Sequence, residues 1–341
     1  MNLNIDRKIW LTIVQTLISL TFLILIFHRF DWTGFFHLIK KIPVWFFIYS
    51  LILTIAYQFL YVLKWNIILR TMEIRIAYKN LAKYTFVGFF FANFAPSSIG
   101  QDATKVYYLG KKEGYLNIGA SVIIDRFLGL FAMTFLATIL IWNIDFTAPV
   151  FEIARTVLTL LCLGFIIAFI VGHFKYDELL NRIFKQFKNP NTKSKMETLN
   201  ETMQQFLFYI RIAGSNLKVL FSSIFIFIII FLITAIVYIH FFEITTGKEF
   251  SLWRVMAVTL IIVIITNLPI SLNGIGVREQ SHYIFLAALG IPKEAAVSIS
   301  LLIFSHAMVL SLIGLVLWLR REKRQFPVDE KTPHLSEQIL P

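Results

Sequence analysis

The chain has 341 residues, of which 57% are hydrophobic and 15% charged, and its mean hydropathy is +0.73. A soluble domain of this length needs more polar surface than that, so the composition excludes a soluble globular protein and requires an integral membrane one. The formal charge of +12 is gathered in particular loops, which fits orientation and contact with anionic lipid better than a nucleic-acid groove, and the single cysteine, Cys162, excludes a disulfide framework or a cysteine metal site.

Arg7 and Lys8 precede the apolar run Ile9 to Phe27, which is long for a signal-peptide core and reads as a retained first span. Ile42 to Leu63, Val219 to Phe242 and Val297 to Leu319 are further uncharged runs, each of the about 20 residues that cross roughly 30 Å of hydrocarbon. Leu116 to Ile144 spans while carrying Asp125 and Arg126, and Thr156 to Val171 spans if Arg155 and His173 snorkel at its ends. Two other stretches, Tyr84 to Ala95 and Val255 to Ile270, each end at a proline-containing polar break followed by a short amphipathic piece. Backbone that is not helical survives at membrane depth only where protein or a water-filled cavity satisfies it, so these two read as re-entrant segments or broken helices. The expected fold is an all-α, polytopic membrane helix bundle of about six full spans plus those two segments. It occupies residues 1–321, and a polar, proline-containing tail, 322–341, is expected to be disordered.

The two punctuated stretches align without a gap. Gly100 pairs with Gly276, Tyr107 with Tyr283, Gly114 with Gly290 and Ala120 with Ala296, all at an offset of 176. Repeat halves of about 42–143 and 218–319 follow. If each stretch enters and leaves on one side, 23 Lys and Arg residues fall on the side of the termini and eight on the other, which makes both termini cytoplasmic. The halves then have inverted topology, the arrangement in which broken helices meet at a midplane substrate site. In the basic segment 174–218, Met196, Leu199, Met203, Phe206, Leu207 and Ile210 recur at helical spacing. A helix lying on the inner leaflet and a linker helix packed on the bundle both fit.

Pro96 and Pro269 end the helices before them, with Asn93 and Asn273 nearby, and Gly100, Gly274 and Gly276 supply backbone freedom for the turns. Helix starts beyond those turns present unpaired N–H groups to an anion such as a phosphate, although a plain hairpin tip needs the same residues. Arg126, ten residues into a span, must be paired or face water, and Asp125, about 100° round the helix, is not placed to pair with it. Asp102 or a lipid phosphate is the expected partner of Arg126. Lys105, one turn beyond Asp102, and Arg278 with Glu279 beyond Gly276 complete a set for headgroup binding or gating: Asp102, Lys105, Asp125, Arg126, Arg278 and Glu279. Their bland alternatives are a static ion pair and interfacial snorkelling. His306, at an apolar position, is a candidate proton relay or a core histidine, and His282 reads as interfacial. Phosphate-loop, HExxH and GxSxG patterns do not occur, so no catalytic set, metal or cofactor is expected.

At NFAPSSIGQDATKVYYL with GASVIIDRFLG, and NLPISLNGIGVRE with LGIPKEAAVS, the sequence resembles the transmembrane domain of the lysylphosphatidylglycerol synthase and flippase family. That family is typified by the bacterial multiple peptide resistance factor. This sequence departs from the family's usual pattern at Gln101, where a second glycine is common, and by two residues, Leu272 and Asn273, between Ser271 and Gly274. The resemblance implies translocation of an anionic or aminoacylated phosphatidylglycerol-type lipid between leaflets of the cytoplasmic membrane. It also leaves open a polyprenyl-phosphate or glycolipid cargo with a partner glycosyltransferase, or transfer onto a lipid headgroup by a lysyltransferase-type enzyme. Membrane phospholipids, and a separate transferase or glycosyltransferase, are the partners it implies.

Overall fold

The structure, a computed structural model, describes residues 32–94, 99–174, 216–268 and 274–320, and the regular structure among them is helical. The helices are α1 (Trp32–Lys41), α2 (Val44–Thr71), α3 (Tyr78–Phe94), α4 (Ile99–Glu113), α5 (Tyr115–Asn143), α6 (Pro149–Phe174), α7 (Leu217–Thr246), α8 (Leu252–Asn267), α9 (Val277–Ala287) and α10 (Lys293–Leu319). Five of them, α2, α5, α6, α7 and α10, are long and apolar enough to cross a membrane. The expected spans thus form helices, save Ile9 to Phe27, which lies outside the described residues, as do residues 175–215 of the basic segment and the tail 322–341. Helix α6 begins at Pro149, earlier than the apolar run suggests. Arg155 lies within it, bonds Glu152 at 2.8 Å and reaches the Ile141 carbonyl at 3.2 Å. Helix α1 had no counterpart among the expected elements; it packs on α10.

Helices α3 and α8, of 17 and 16 residues, rise only about 25 Å at 1.5 Å per residue and fall short of a bilayer core. Each turns back instead. Tyr84 of α3 stacks on Tyr108 of α4 with ring centroids 5.0 Å apart, and a Cβ on Gly88 would stand 2.7 Å from Gln101 Cγ. Those pairings are antiparallel, so α3 and α4 form a hairpin that begins and ends beside the C-terminus of α2. Helices α8 and α9 are the equivalent hairpin at the C-terminus of α7.

The offset of 176 carries through the fold. It superposes the register of α2 on α7, α3 on α8, α4 on α9 and α5 on α10 to within a few residues. The packing is closed under that exchange: α3 rests on α10 while α8 rests on α5, and α2 meets α5 as α7 meets α10. Helices α2 and α7 lie against each other antiparallel, with centroid distances of 6.2 Å for Phe46–Phe241, 5.8 Å for Tyr49–His240 and 5.6 Å for Tyr61–Phe227. The repeats are therefore inverted, and the two hairpins enter from opposite ends of the bundle.

Glycine conformations report the same symmetry. Gly114 and Gly290, at equivalent positions before α5 and α10, have φ of 92° and 79°, and Gly274 and Gly276 in the second turn have 76° and 81°. Gly100 does not use the freedom assigned to it: α4 starts at Ile99, so Gly100 sits in its first helical turn with no positive φ. Pro96, Pro269 and Asn273 fall outside the described residues, as does the Asn93 side chain. Helix α3 lies close against α10, where Ser311 Oγ donates to the Phe89 carbonyl at 3.0 Å and a Cβ on Gly314 would clash with the Phe86 carbonyl oxygen. Gly314→Ala is expected to destabilise the folded protein by about 1–3 kcal/mol, since backbone rather than a pliable side chain blocks the added methyl. Thermal unfolding in detergent checks this; an unchanged midpoint would contradict the close approach.

Candidate functional site

A span with two adjacent charges has to satisfy both from different directions, and the fold does so. Asp125 and Arg126 point to different parts of one cavity of about 270 Å³ bounded by α2, α5, the α3–α4 hairpin and Phe227 of α7. On one side Lys64 of α2 sets its ammonium 2.8 Å from Asp125 Oδ1 and 3.2 Å from the Asp125 carbonyl oxygen. On the other, Arg126 Nε donates to Asp102 Oδ2 at the start of α4, and Lys105 Nζ lies 3.7 Å from Asp102 Oδ1. Asp102 stands in the first turn of α4, where the helix dipole also favours its charge.

Local sequence explains how these groups fit. Gly129, one turn after Asp125 on the same face of α5, leaves a slot: a Cβ there would lie 3.3 Å from both Lys64 Nζ and Phe227 Cζ. Lys64 passes through that slot over the Phe227 ring, 4.8 Å from its centroid, and Lys105 stands over Trp65 at 4.7 Å. The Trp65 indole is itself held by Ser121 Oγ at 3.1 Å. Four of the five charged side chains are less than a fifth exposed, whereas Arg126 is 47% exposed and faces the cavity. Gln58, Gln101 and Thr85 line the same space, and the buried Thr85 Oγ1 has no hydrogen-bond partner among the described residues. Asn267, the last residue of α8, also lines it, so the tip region of the second hairpin reaches the first.

Of the expected site residues, the fold brings together Asp102, Lys105, Asp125 and Arg126. Arg278 and Glu279 are placed elsewhere. Arg278 Nη2 bonds Glu279 Oε1 at 2.6 Å, Ser300 Oγ bonds the same oxygen at 3.1 Å, and Glu279 Oε2 accepts the Gly276 amide at 2.7 Å. The carboxylate thus caps α9 and ties the turn to α10, which leaves the pair off the cavity wall. His282, expected at an interface, is buried: its Nδ1–H donates to the Arg278 carbonyl at 2.8 Å and its Nε2 accepts from the Tyr238 hydroxyl at 2.6 Å. His306 lies in neither group; it packs between Ser50 at 3.3 Å, Thr54 at 3.4 Å and the Phe47 ring.

Lys64 was absent from the expected set. It ends an apolar run and looks like a loop cation, but α2 continues to Thr71 and leaves Lys64 2% exposed. The one available signal was an unpaired Asp125 with a lysine in the neighbouring span.

Fold and site together define a polytopic helical membrane protein with an inverted repeat and a cavity whose charged residues all come from its first half. The chain belongs to the family described as lysylphosphatidylglycerol synthase transmembrane region, whose model matches residues 12–326. It is similar to a UPF0104 membrane protein of Pyrococcus horikoshii, 22% identical over 80% of this chain and 86% of that one. A UPF0104 membrane protein of Methanothermobacter thermautotrophicus is 22% identical over 70% of this chain and 73% of its own length. No solved structure matches the chain significantly.

Removing one partner of a buried ion pair strands the other, so Lys64→Met is expected to cost about 3–5 kcal/mol. The double change Lys64→Met with Asp125→Leu should recover most of that loss, because it strands no charge. Chemical or thermal unfolding of the four members of this cycle measures the coupling; a double variant as unstable as Lys64→Met would refute it.

Proposed function

We propose that this protein moves a phosphate-bearing lipid between leaflets, with the headgroup held in the cavity at Arg126 and the acyl chains left in the bilayer. The observation that carries the reading is an arginine at membrane depth, half exposed to a cavity and held in place by Asp102 at a hairpin tip. A guanidinium binds phosphate oxygens through paired N–H donors, and here the Asp102 bond fixes its orientation before the ligand arrives. The Thr85 hydroxyl, the Gln101 amide and the N-terminal turn of α4 add further polar groups around the same space. The inverted repeat supplies a means of exposure to either side, since rocking one half against the other alternates access to a site near the midplane. The family name, with its reference to lysylphosphatidylglycerol, supports a phospholipid as cargo.

In this reading the protein sits in the cytoplasmic membrane with the α3–α4 hairpin entering from the cytoplasmic side, where Lys79, Lys83, Lys111 and Lys112 cluster. Single cysteines at Lys112 and Lys248, in a Cys162→Ser background, should react with an impermeant maleimide from opposite sides of sealed inside-out vesicles. Labelling of both from one side would refute this orientation.

In proteoliposomes, Arg126→Gln should lower the rate of phosphatidylglycerol translocation by about ten- to a hundredfold, the kinetic equivalent of one hydrogen-bonded ion contact. Unchanged translocation by folded Arg126→Gln protein would remove Arg126 from the site.

A further inference from the structure

We propose that the cavity accepts a headgroup of net negative charge, with a phosphate and no cationic substituent, and rejects an aminoacylated one. This inference rests on the reading of the cavity as a headgroup site. An ammonium is held most strongly by a carboxylate or over an aromatic face, and in this cavity both carboxylates and three of the four wall rings are already engaged by the protein's own cations, which leaves Phe89 and the neutral oxygens of Gln58, Gln101, Asn267 and Thr85. Asp125 is held by Lys64. Asp102 is shared between Arg126 and Lys105. Of the four aromatic rings on the wall, Trp65 carries Lys105 at 4.7 Å, Phe227 carries Lys64 at 4.8 Å, Tyr61 lies 6.0 Å from the same Lys64 ammonium, and Phe89 packs edge-on with Phe86 at 6.2 Å.

The charges on the described lining residues are three positive and two negative, with Asp102 serving two cations at once. One anion placed between Arg126 and Lys105 balances the cavity, and a phosphate diester brings one negative charge. A lysyl ester adds two ammonium groups to that diester and turns the headgroup from a complement into a fourth source of positive charge. Glu279, the remaining carboxylate near a hairpin turn, is bonded by Arg278, Ser300 and the Gly276 amide and stands off the cavity wall. At the equivalent place in the second half, among the described residues, Asp125 and Arg126 are replaced by Leu301 and Leu302, which line a mainly apolar groove.

Competitive binding to the purified full-length chain tests this. Mixed micelles holding equimolar phosphatidylglycerol and lysylphosphatidylglycerol, with phosphatidylcholine as the uncharged-balance control, are read by native mass spectrometry of the retained lipid. Phosphatidylglycerol adducts should exceed lysylphosphatidylglycerol adducts by about tenfold or more, and Lys105→Gln, which removes the excess positive charge, should narrow that ratio to about twofold or less. Equal retention, or preference for the lysyl lipid, by the unmodified chain overturns the proposal without touching translocation. The comparison needs no variant, so a Lys105→Gln protein that fails to fold leaves it decided. Selective binding of phosphatidylglycerol by a chain that moves neither lipid in proteoliposomes would sink the translocase reading and leave the selectivity standing. Retention of added inorganic phosphate with no lipid adduct would assign the cavity to the free ion and overturn the headgroup claim.

Discussion

A charge at membrane depth has to be neutralised or wetted, and the first half of this protein is packed around the two carboxylates that do so. Asp125 anchors Lys64 and thereby holds α2 against α5. Asp102 anchors Arg126 and Lys105 and thereby holds the start of α4 against the same helix. Were either carboxylate lost, a cation would remain in surroundings that solvate it poorly, at a cost of several kcal/mol. Packing and electrostatics are thus one constraint here: Gly129 is small because Lys64 must pass it, and Trp65 and Phe227 lie flat under the two lysines.

The inverted repeat shows how much of the architecture is independent of those charges. Both halves build a long helix, a short hairpin and a second long helix, start the last helix after a glycine at positive φ, and rest each hairpin on the final helix of the other half. Their chemistry has diverged within that shared frame. Position for position, Lys64 corresponds to His240, Asp102 to Arg278, and Asp125 with Arg126 to Leu301 with Leu302. The second half closes its turn with a local carboxylate cap, Glu279 on the Gly276 amide, whereas the first aims its hairpin acid at a different helix. One half holds its turn, and the other holds a cavity.

The divergence also accounts for which site residues could be read in advance. Asp125 and Arg126 stood out because any charge inside an apolar run is costly, and simple helix geometry ruled out their pairing with each other. Asp102 followed as the nearest acid in a polar break. Arg278 and Glu279 were grouped with them because they occupy an equivalent turn, but equivalence of backbone does not carry over to side-chain direction. Adjacent in sequence, they satisfy each other through a long, flexible arginine that turns back on its neighbour.

The sequence alone determined the membrane class, the spans that the structure describes, the two hairpins and the offset that relates the halves. Each of these rests on hydrophobic run length or on proline and glycine punctuation, properties of contiguous residues. Only the tertiary structure decided that Lys64 belongs to the cavity, that Gly100 is an ordinary helical residue, that His282 is buried against Tyr238, and that Arg278 and Glu279 stand apart. The reason is that a partner for a buried charge can come from any helix packed alongside. Lys64 and Asp125 are 61 residues apart and meet only because α2 and α5 lie side by side.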